Sequence, residues 1–148
     1  MLAKVSESYL IVKIGYSAGN KKMPMILAIA FGGALGAVLR HFVNNVLGAW
    51  LGGDFPWGIF AINVAGSFAM GLLVSLFAHV WEPPQAMKAF LTVGILGGFT
   101  TFSTFSLDAV MLVERGATGA AALYVGGSVI LAIGALYAGM AIVRMLTV

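Results

Sequence analysis

The chain has 148 residues, 61% hydrophobic and 9% charged, with a mean hydropathy of +1.03. A soluble domain of this size cannot bury so much apolar surface, so the class is an all-α integral membrane protein. Cysteine is absent, which excludes disulfides and cysteine-based redox or metal chemistry. The eight basic and five acidic side chains are scattered, with no basic-aromatic stripe to hold a nucleic acid, so the basic balance points to anionic lipid headgroups.

Residues 1–24 differ in character from the rest of the chain. Lys4, Glu7, Lys13, Lys21 and Lys22 punctuate them, and their longest apolar run, Tyr9 to Val12, is too short for a signal-peptide core. One expectation is that translation naturally begins at Met23 or Met25 and that residues 1–24 are a dispensable extension. The other is a short surface segment ahead of the membrane. N-terminal sequencing of the natively expressed protein separates the two.

Residues 25–148 read as a single domain of four spans, each near the ~20 residues that cross a bilayer. The first runs from Met25 to about Leu47, with Gly32 and Gly36 at helical spacing and Arg40-His41 towards its end. Gly52-Gly53-Asp54 signals a turn, and Pro56 suits the first turn of a second span ending near Val80. Glu82-Pro83-Pro84 starts a tight loop. The third segment, Gln85 to about Val113, exceeds a normal span, which fits a helix broken at its glycines better than a straight rod. Glu114-Arg115-Gly116 turns the chain into a fourth span, Thr118 to Met145. Trp50, Trp57 and Trp81 fall at span ends, where indoles prefer the interface.

Orientation is weakly specified. From Met25 onward, Lys88 and Arg144 lie on one side of the membrane and Arg40 and Arg115 on the other. Two against two gives no positive-inside preference, so the chain could insert both ways and form a dual-topology antiparallel homodimer.

The stretch Gly94 to Phe105, GILGGFTTFSTF, interrupts an otherwise apolar segment. Gly94, Gly97 and Gly98 weaken a helix interior by about 1 kcal/mol each, and Thr100, Thr101, Ser103 and Thr104 add hydroxyls. Freed backbone groups at membrane depth survive only in protein or beside a watery cavity, so a Gly-interrupted span marks an ion or substrate site. Gly94 and Gly98 alone, as a GxxxG pair, read as helix packing; the whole run reads as a site.

No His, Asp and Glu cluster has metal-ligand or catalytic spacing, and no carboxylate lies at the centre of a span, although Asp108 enters the end of the third. This disfavours a proton-coupled exporter and an acidic-ring cation channel. The polar groups left in the membrane are neutral. Asn63, in the heart of the second span, bonds either a neighbouring helix or a permeant species. Tyr124 and Ser128 share a helix face and could continue a polar path, whereas Ser75 and Thr92 are expected to bond back to the preceding turn. Phe102 and Phe105, three apart, would ordinarily be packing residues, but ring edges beside hydroxyl donors attract a small anion without trapping it.

These features closely resemble the Fluc/CrcB family of fluoride channels: four spans, Arg40 late in the first, Asn63 in the second, and GGFTTFSTF from Gly97 to Phe105. The resemblance covers Met25 to Val148. It implies passive export of cytoplasmic fluoride across the cell's inner membrane by an antiparallel homodimer with two pores, not an enzyme. By the same resemblance Asn63, Phe102, Thr104, Phe105, Tyr124 and Ser128 contribute to the fluoride pore, and Arg40 to its vestibule, although snorkelling to headgroups suits Arg40 equally. A structural sodium ion at the dimer centre is implied on the backbone carbonyls of Gly97 and Thr100. Ala132 and Leu136 depart from the pattern by giving no hydroxyls further along the fourth span. The competing reading is a four-span dimeric exporter similar to small multidrug-resistance transporters, whose first-span glutamate this chain lacks. A non-conducting structural subunit would explain the small residues but not the hydroxyl-aromatic run.

Overall fold

A computed structural model describes residues 2–147, with side chains from residue 24 onward. The expected extension over residues 1–24, with a start at Met23 or Met25, lies outside the residues described in full. Among the described residues every regular element is helical. Four stretches are long and apolar enough to cross a membrane: Pro24–Leu51, Trp57–His79, Gln85–Glu114 and Thr118–Thr147. The chain is a multi-pass membrane protein. The first stretch is the later part of α1 (Leu2–Leu51), the second is α2 (Trp57–His79) and the fourth is α6 (Thr118–Thr147). The third is composite: α3 (Gln85–Ala89), a π-helical segment (Phe90–Leu96), α4 (Gly97–Phe99) and α5 (Phe102–Glu114).

The turns follow from the residues that make them. Helix α1 runs four residues past the expected Leu47 and reverses only at Gly52 and Gly53, whose φ of 57° and 79° are left-handed angles that favour glycine. Pro56 then precedes α2 and accepts from the Phe60 N–H at 3.1 Å. Helix α5 ends on Gly116 at φ 78°, with the Ala117 N–H reaching back to Leu112 O at 2.9 Å, the pattern of a Schellman stop.

Lipid tails are as apolar as leucine, so helices in a bilayer are held by close packing and by polar contacts instead of by exclusion of water. Small residues let the backbones meet. A Cβ on Gly98 would stand 2.6 Å from Gly33 O, one on Gly32 would stand 2.6 Å from Phe90 O, and one on Gly36 would collide with Ile95 O. Gly94 meets Gly32 in the same seam. On the other side of the bundle Gly71 and Gly139 seat α2 against α6, next to Leu136 and Phe68. There the Ser75 hydroxyl donates to Met140 O at 3.2 Å. That bond crosses helices, contrary to the expectation that Ser75 bonds its own preceding turn; a fully buried hydroxyl this close to a facing carbonyl satisfies both elements. Thr92 does bond back, to Lys88 O at 2.8 Å.

The extended backbone of the third span does not fall on its glycines, although Gly94 lies within the π-helical stretch. Gly94, Gly97 and Gly98 are all helical, and the extended residues are Thr100 (φ −78°, ψ 157°) and Thr101 (φ −153°, ψ 126°). The glycines act through size. Gly94 and Gly98 are closed in by α1, whereas a Cβ on Gly97 would meet only Thr92 O at 3.6 Å.

This contrast gives an expected outcome. Gly98→Val forces α1 away and costs at least ~1–3 kcal/mol as overpacking, while Gly97→Ala changes stability by no more than ~0.5 kcal/mol. Thermal unfolding of the two variants in detergent checks it; equal melting temperatures would refute the assignment of Gly98 to the α1 seam.

Candidate functional site

Extended backbone inside a bilayer needs partners, and Asn63 supplies them. From the middle of α2 its Oδ1 accepts from the Thr101 N–H at 2.9 Å and its Nδ2 donates to Thr101 O at 3.0 Å. Both polar atoms of the amide thus bond the neighbouring span, and its second Nδ2 hydrogen is left for another acceptor. Gly66, one turn on, leaves room for Thr100 and Phe99, which a Cβ there would strike.

The hydroxyls around the extended pair complete the local bonding. Thr100 directs both its N–H (3.0 Å) and its Oγ1 (2.9 Å) at Leu96 O. The Thr101 hydroxyl caps α5 by accepting from the Thr104 N–H at 3.3 Å, and it touches Thr104 Oγ1 at 3.2 Å and Ser103 Oγ at 3.3 Å. In an α-helix the N–H of Thr101 would serve Gly97 O and that of Thr104 would serve Thr100 O. Both donors are engaged elsewhere, so these two carbonyls lose their helical partners.

Beside this bend lies a lateral cleft of about 470 Å³ lined by Asn63, Gly97, Thr100, Thr101, Phe102, Phe105 and Ser128, with Ser67, Met70, Ala132 and Leu136 towards its far end. None of its lining residues is charged. Phe102 and Phe105 sit with ring centroids 5.6 Å apart; Phe105 is 9% exposed and Phe102 80% exposed, on the open side of the cleft. Ser128 Oγ is buried and has no hydrogen-bond partner. An unpaired hydroxyl in such a place costs about 1–3 kcal/mol, a cost that a water or a bound ion offsets.

Six of the expected site residues thus share one cleft: Asn63, Gly97, Thr100, Phe102, Phe105 and Ser128. Thr104 instead lines a neighbouring cavity of about 220 Å³ together with Asn44, Gly58 and Asp108. Tyr124 is fully buried behind Phe105, ring centroids 5.1 Å apart, and its hydroxyl donates to Asp108 Oδ2 at 3.2 Å. Arg40 is half-buried on α1 and borders neither cavity.

Two participants escaped the reading of the sequence. Thr101 stood out only as one hydroxyl in a run, and its role as helix cap and Asn63 partner depends on a residue 38 positions away. Asp108 was visible as a carboxylate entering a span end, but its partner lies 16 positions on, in the next helix.

Comparison with known proteins identifies the family. The family described as "CrcB-like protein, Camphor Resistance (CrcB)" matches residues 27–140. A protein of Rhodospirillum centenum named "Fluoride-specific ion channel FluC" is 59% identical over 122 residues, 82% of this chain and 97% of that protein. One of Nitrobacter winogradskyi with the same name is 55% identical over 125 residues, 84% of this chain and 99% of its own length. A third, from Agrobacterium fabrum, is 49% identical over 119 residues, 80% of this chain and 95% of the relative. With nearly the whole length of these relatives aligned to its four spans, the chain belongs to the CrcB family.

Proposed function

We propose that the chain is a fluoride-specific ion channel that lets cytoplasmic fluoride leave the cell passively across the inner membrane. The observation that carries this reading is the uncharged cleft, in which two phenylalanine rings meet an amide, four hydroxyls and a bent backbone. Ring hydrogens bear partial positive charge, and hydroxyls replace water around a small hard anion. Such a lining holds fluoride weakly enough to release it, which a deep fixed cation would not do. Fluoride enters cells as neutral HF from acid surroundings and ionises inside, so an anion channel needs no energy source to expel it. The relatives are named as channels, and no catalytic step is part of the proposal. A small multidrug-type exporter gains no support, because the described first span holds no carboxylate.

The working unit in this proposal is an antiparallel homodimer. The cleft supports it: in a lone chain Phe102 and the neighbouring hydroxyls open sideways towards lipid, and a second copy would close them into a conduit. Near-equal basic residues on the two sides allow insertion in either direction. Ser128 and Thr104 extend the proposed pathway, Tyr124 backs its Phe105 wall, and Arg40 raises anion concentration at its mouth. Gly97 and Thr100 line the cleft, and their carbonyls, both short of their helical donors, would suit a structural sodium ion, which takes oxygen ligands. Its contribution would be to tie the bent third spans together.

Liposomes loaded with fluoride and read with a fluoride electrode test the proposal: fluoride is released and chloride retained. Absence of fluoride release from confirmed insertions would end it. Phe102→Ile and Phe105→Ile are each expected to cut fluoride flux by at least ~10²-fold while the dimer persists in size-exclusion chromatography.

Asn63→Asp removes the donor to Thr101 O and sets a carboxylate against a backbone carbonyl, with an expected cost above ~2 kcal/mol. Its melting temperature should fall and its flux should vanish together; a stable, conducting Asn63→Asp would show that the amide does not hold the bend. Replacing sodium by potassium is expected to lower the melting temperature of the native dimer, and an unchanged value would remove the ion from the proposal.

A further inference from the structure

The two cleft phenylalanines are the visible end of a longer chain of rings. Phe105 rests on Tyr124 at 5.1 Å, and Tyr124 rests on Phe55 at 5.5 Å with the ring planes at 89°. Phe55 in turn meets Trp57 at 4.4 Å, the rings tilted by 46°, and Phe60 at 5.9 Å. It belongs to none of the spans: it sits in the loop between α1 and α2, one residue after Asp54, which reaches Arg115 at 3.6 Å. A loop phenylalanine beside water would ordinarily be free to lie on the surface. This one turns inward against the fully buried Tyr124, and together with Asp108 it borders both cavities at that end of the bundle, of about 190 and 220 Å³.

Tyr124 does not line the cleft, so its effect on a permeating ion passes through Phe105. Three contacts away from the cleft set its place: the hydroxyl on Asp108, Phe60 at 6.4 Å, and Phe55. Of the two ring contacts, the perpendicular pair with Phe55 is the more direction-dependent, because a ring edge against a ring face fixes the angle as well as the distance. We propose that Phe55 is a positioning residue for conduction: from the loop it fixes the tilt of Tyr124, and Tyr124 fixes the tilt at which Phe105 presents its ring to the ion. An aliphatic side chain of similar bulk would fill the space and lose the angle.

This inference rests on the fluoride-channel reading, and the experiment keeps the two apart. Full-length protein is reconstituted at limiting density, so that the fraction of vesicles emptied counts working insertions and the time course gives the rate through each. If the native protein releases no fluoride, the channel reading fails and Phe55 is not the reason. Given native release, Phe55→Leu is expected to slow the rate about tenfold at an unchanged vesicle fraction, and Phe55→Tyr to restore the native rate. A native rate in Phe55→Leu, or equal slowing by Leu and Tyr, would overturn the proposal. So would a loss confined to the vesicle fraction, which marks Phe55 as a folding residue. Should Phe55→Leu not insert, the unbranched Phe55→Met takes its place with the same expected slowing; failure of both to insert assigns Phe55 to folding and overturns the proposal too.

Discussion

A backbone N–H or C=O left unpaired in hydrocarbon costs several kcal/mol, and this constraint governs the molecule. Three spans meet it with helical hydrogen bonds of their own. The third does not, because Thr100 and Thr101 are extended. Asn63 answers the difficulty from the neighbouring helix by giving Thr101 one donor and one acceptor, and the Thr101 hydroxyl restarts the helix by capping α5. Neither bond has to be strong. Interhelical side-chain bonds in membranes average only about 0.6 kcal/mol, but the state without them carries the full penalty of naked peptide groups.

The remainder of the bundle positions that bend. Gly32 and Gly33 of α1 receive Gly94 and Gly98, and Gly36 receives the backbone of Ile95 and Phe99, so the segment leading into the bend is held at backbone distance. Gly71, Gly139 and Ser75 join α2 to α6, which brings Ser128 opposite the phenylalanines. At the other end the core is aromatic and aliphatic: Ile59, Ile62, Phe105, Leu112 and Tyr124 are all buried there. One half of the bundle is therefore held by absent side chains and the other by large ones. The cleft lies where the two halves meet.

Much of this was legible in the sequence, and what was not has a physical reason. Hydropathy and turn residues gave four spans, because apolar length and left-handed glycines are local properties; α1 outran its expected end since Gly48 is accommodated within the helix and only Gly52 and Gly53 reverse the chain. The excess length of the third segment marked irregular backbone, but glycine was the wrong guide to its location. All three glycines stay helical, α1 needs the smallness of Gly94 and Gly98, and the extension comes three residues past Gly97, where a distant amide stabilises it. Ser75 shows the same limit: whether a hydroxyl bonds its own turn or the facing helix depends on a carbonyl 65 residues away. The rings and hydroxyls of the cleft were found because an unusual local string held most of them. Tyr124 is set by contacts from three other elements, which no string reveals.

The two-point grip of Asn63 on Thr101 also bears on how related chains are read. Its side chain is engaged with the peptide main chain through one Nδ2 hydrogen and one Oδ1 lone pair, and that grip does not depend on what travels past it. An asparagine at the corresponding place in another four-span sequence is thus a marker of backbone shape. Cargo preference has to be inferred from the rings and alcohols that the shape displays, and two proteins could share the grip while transporting different ions.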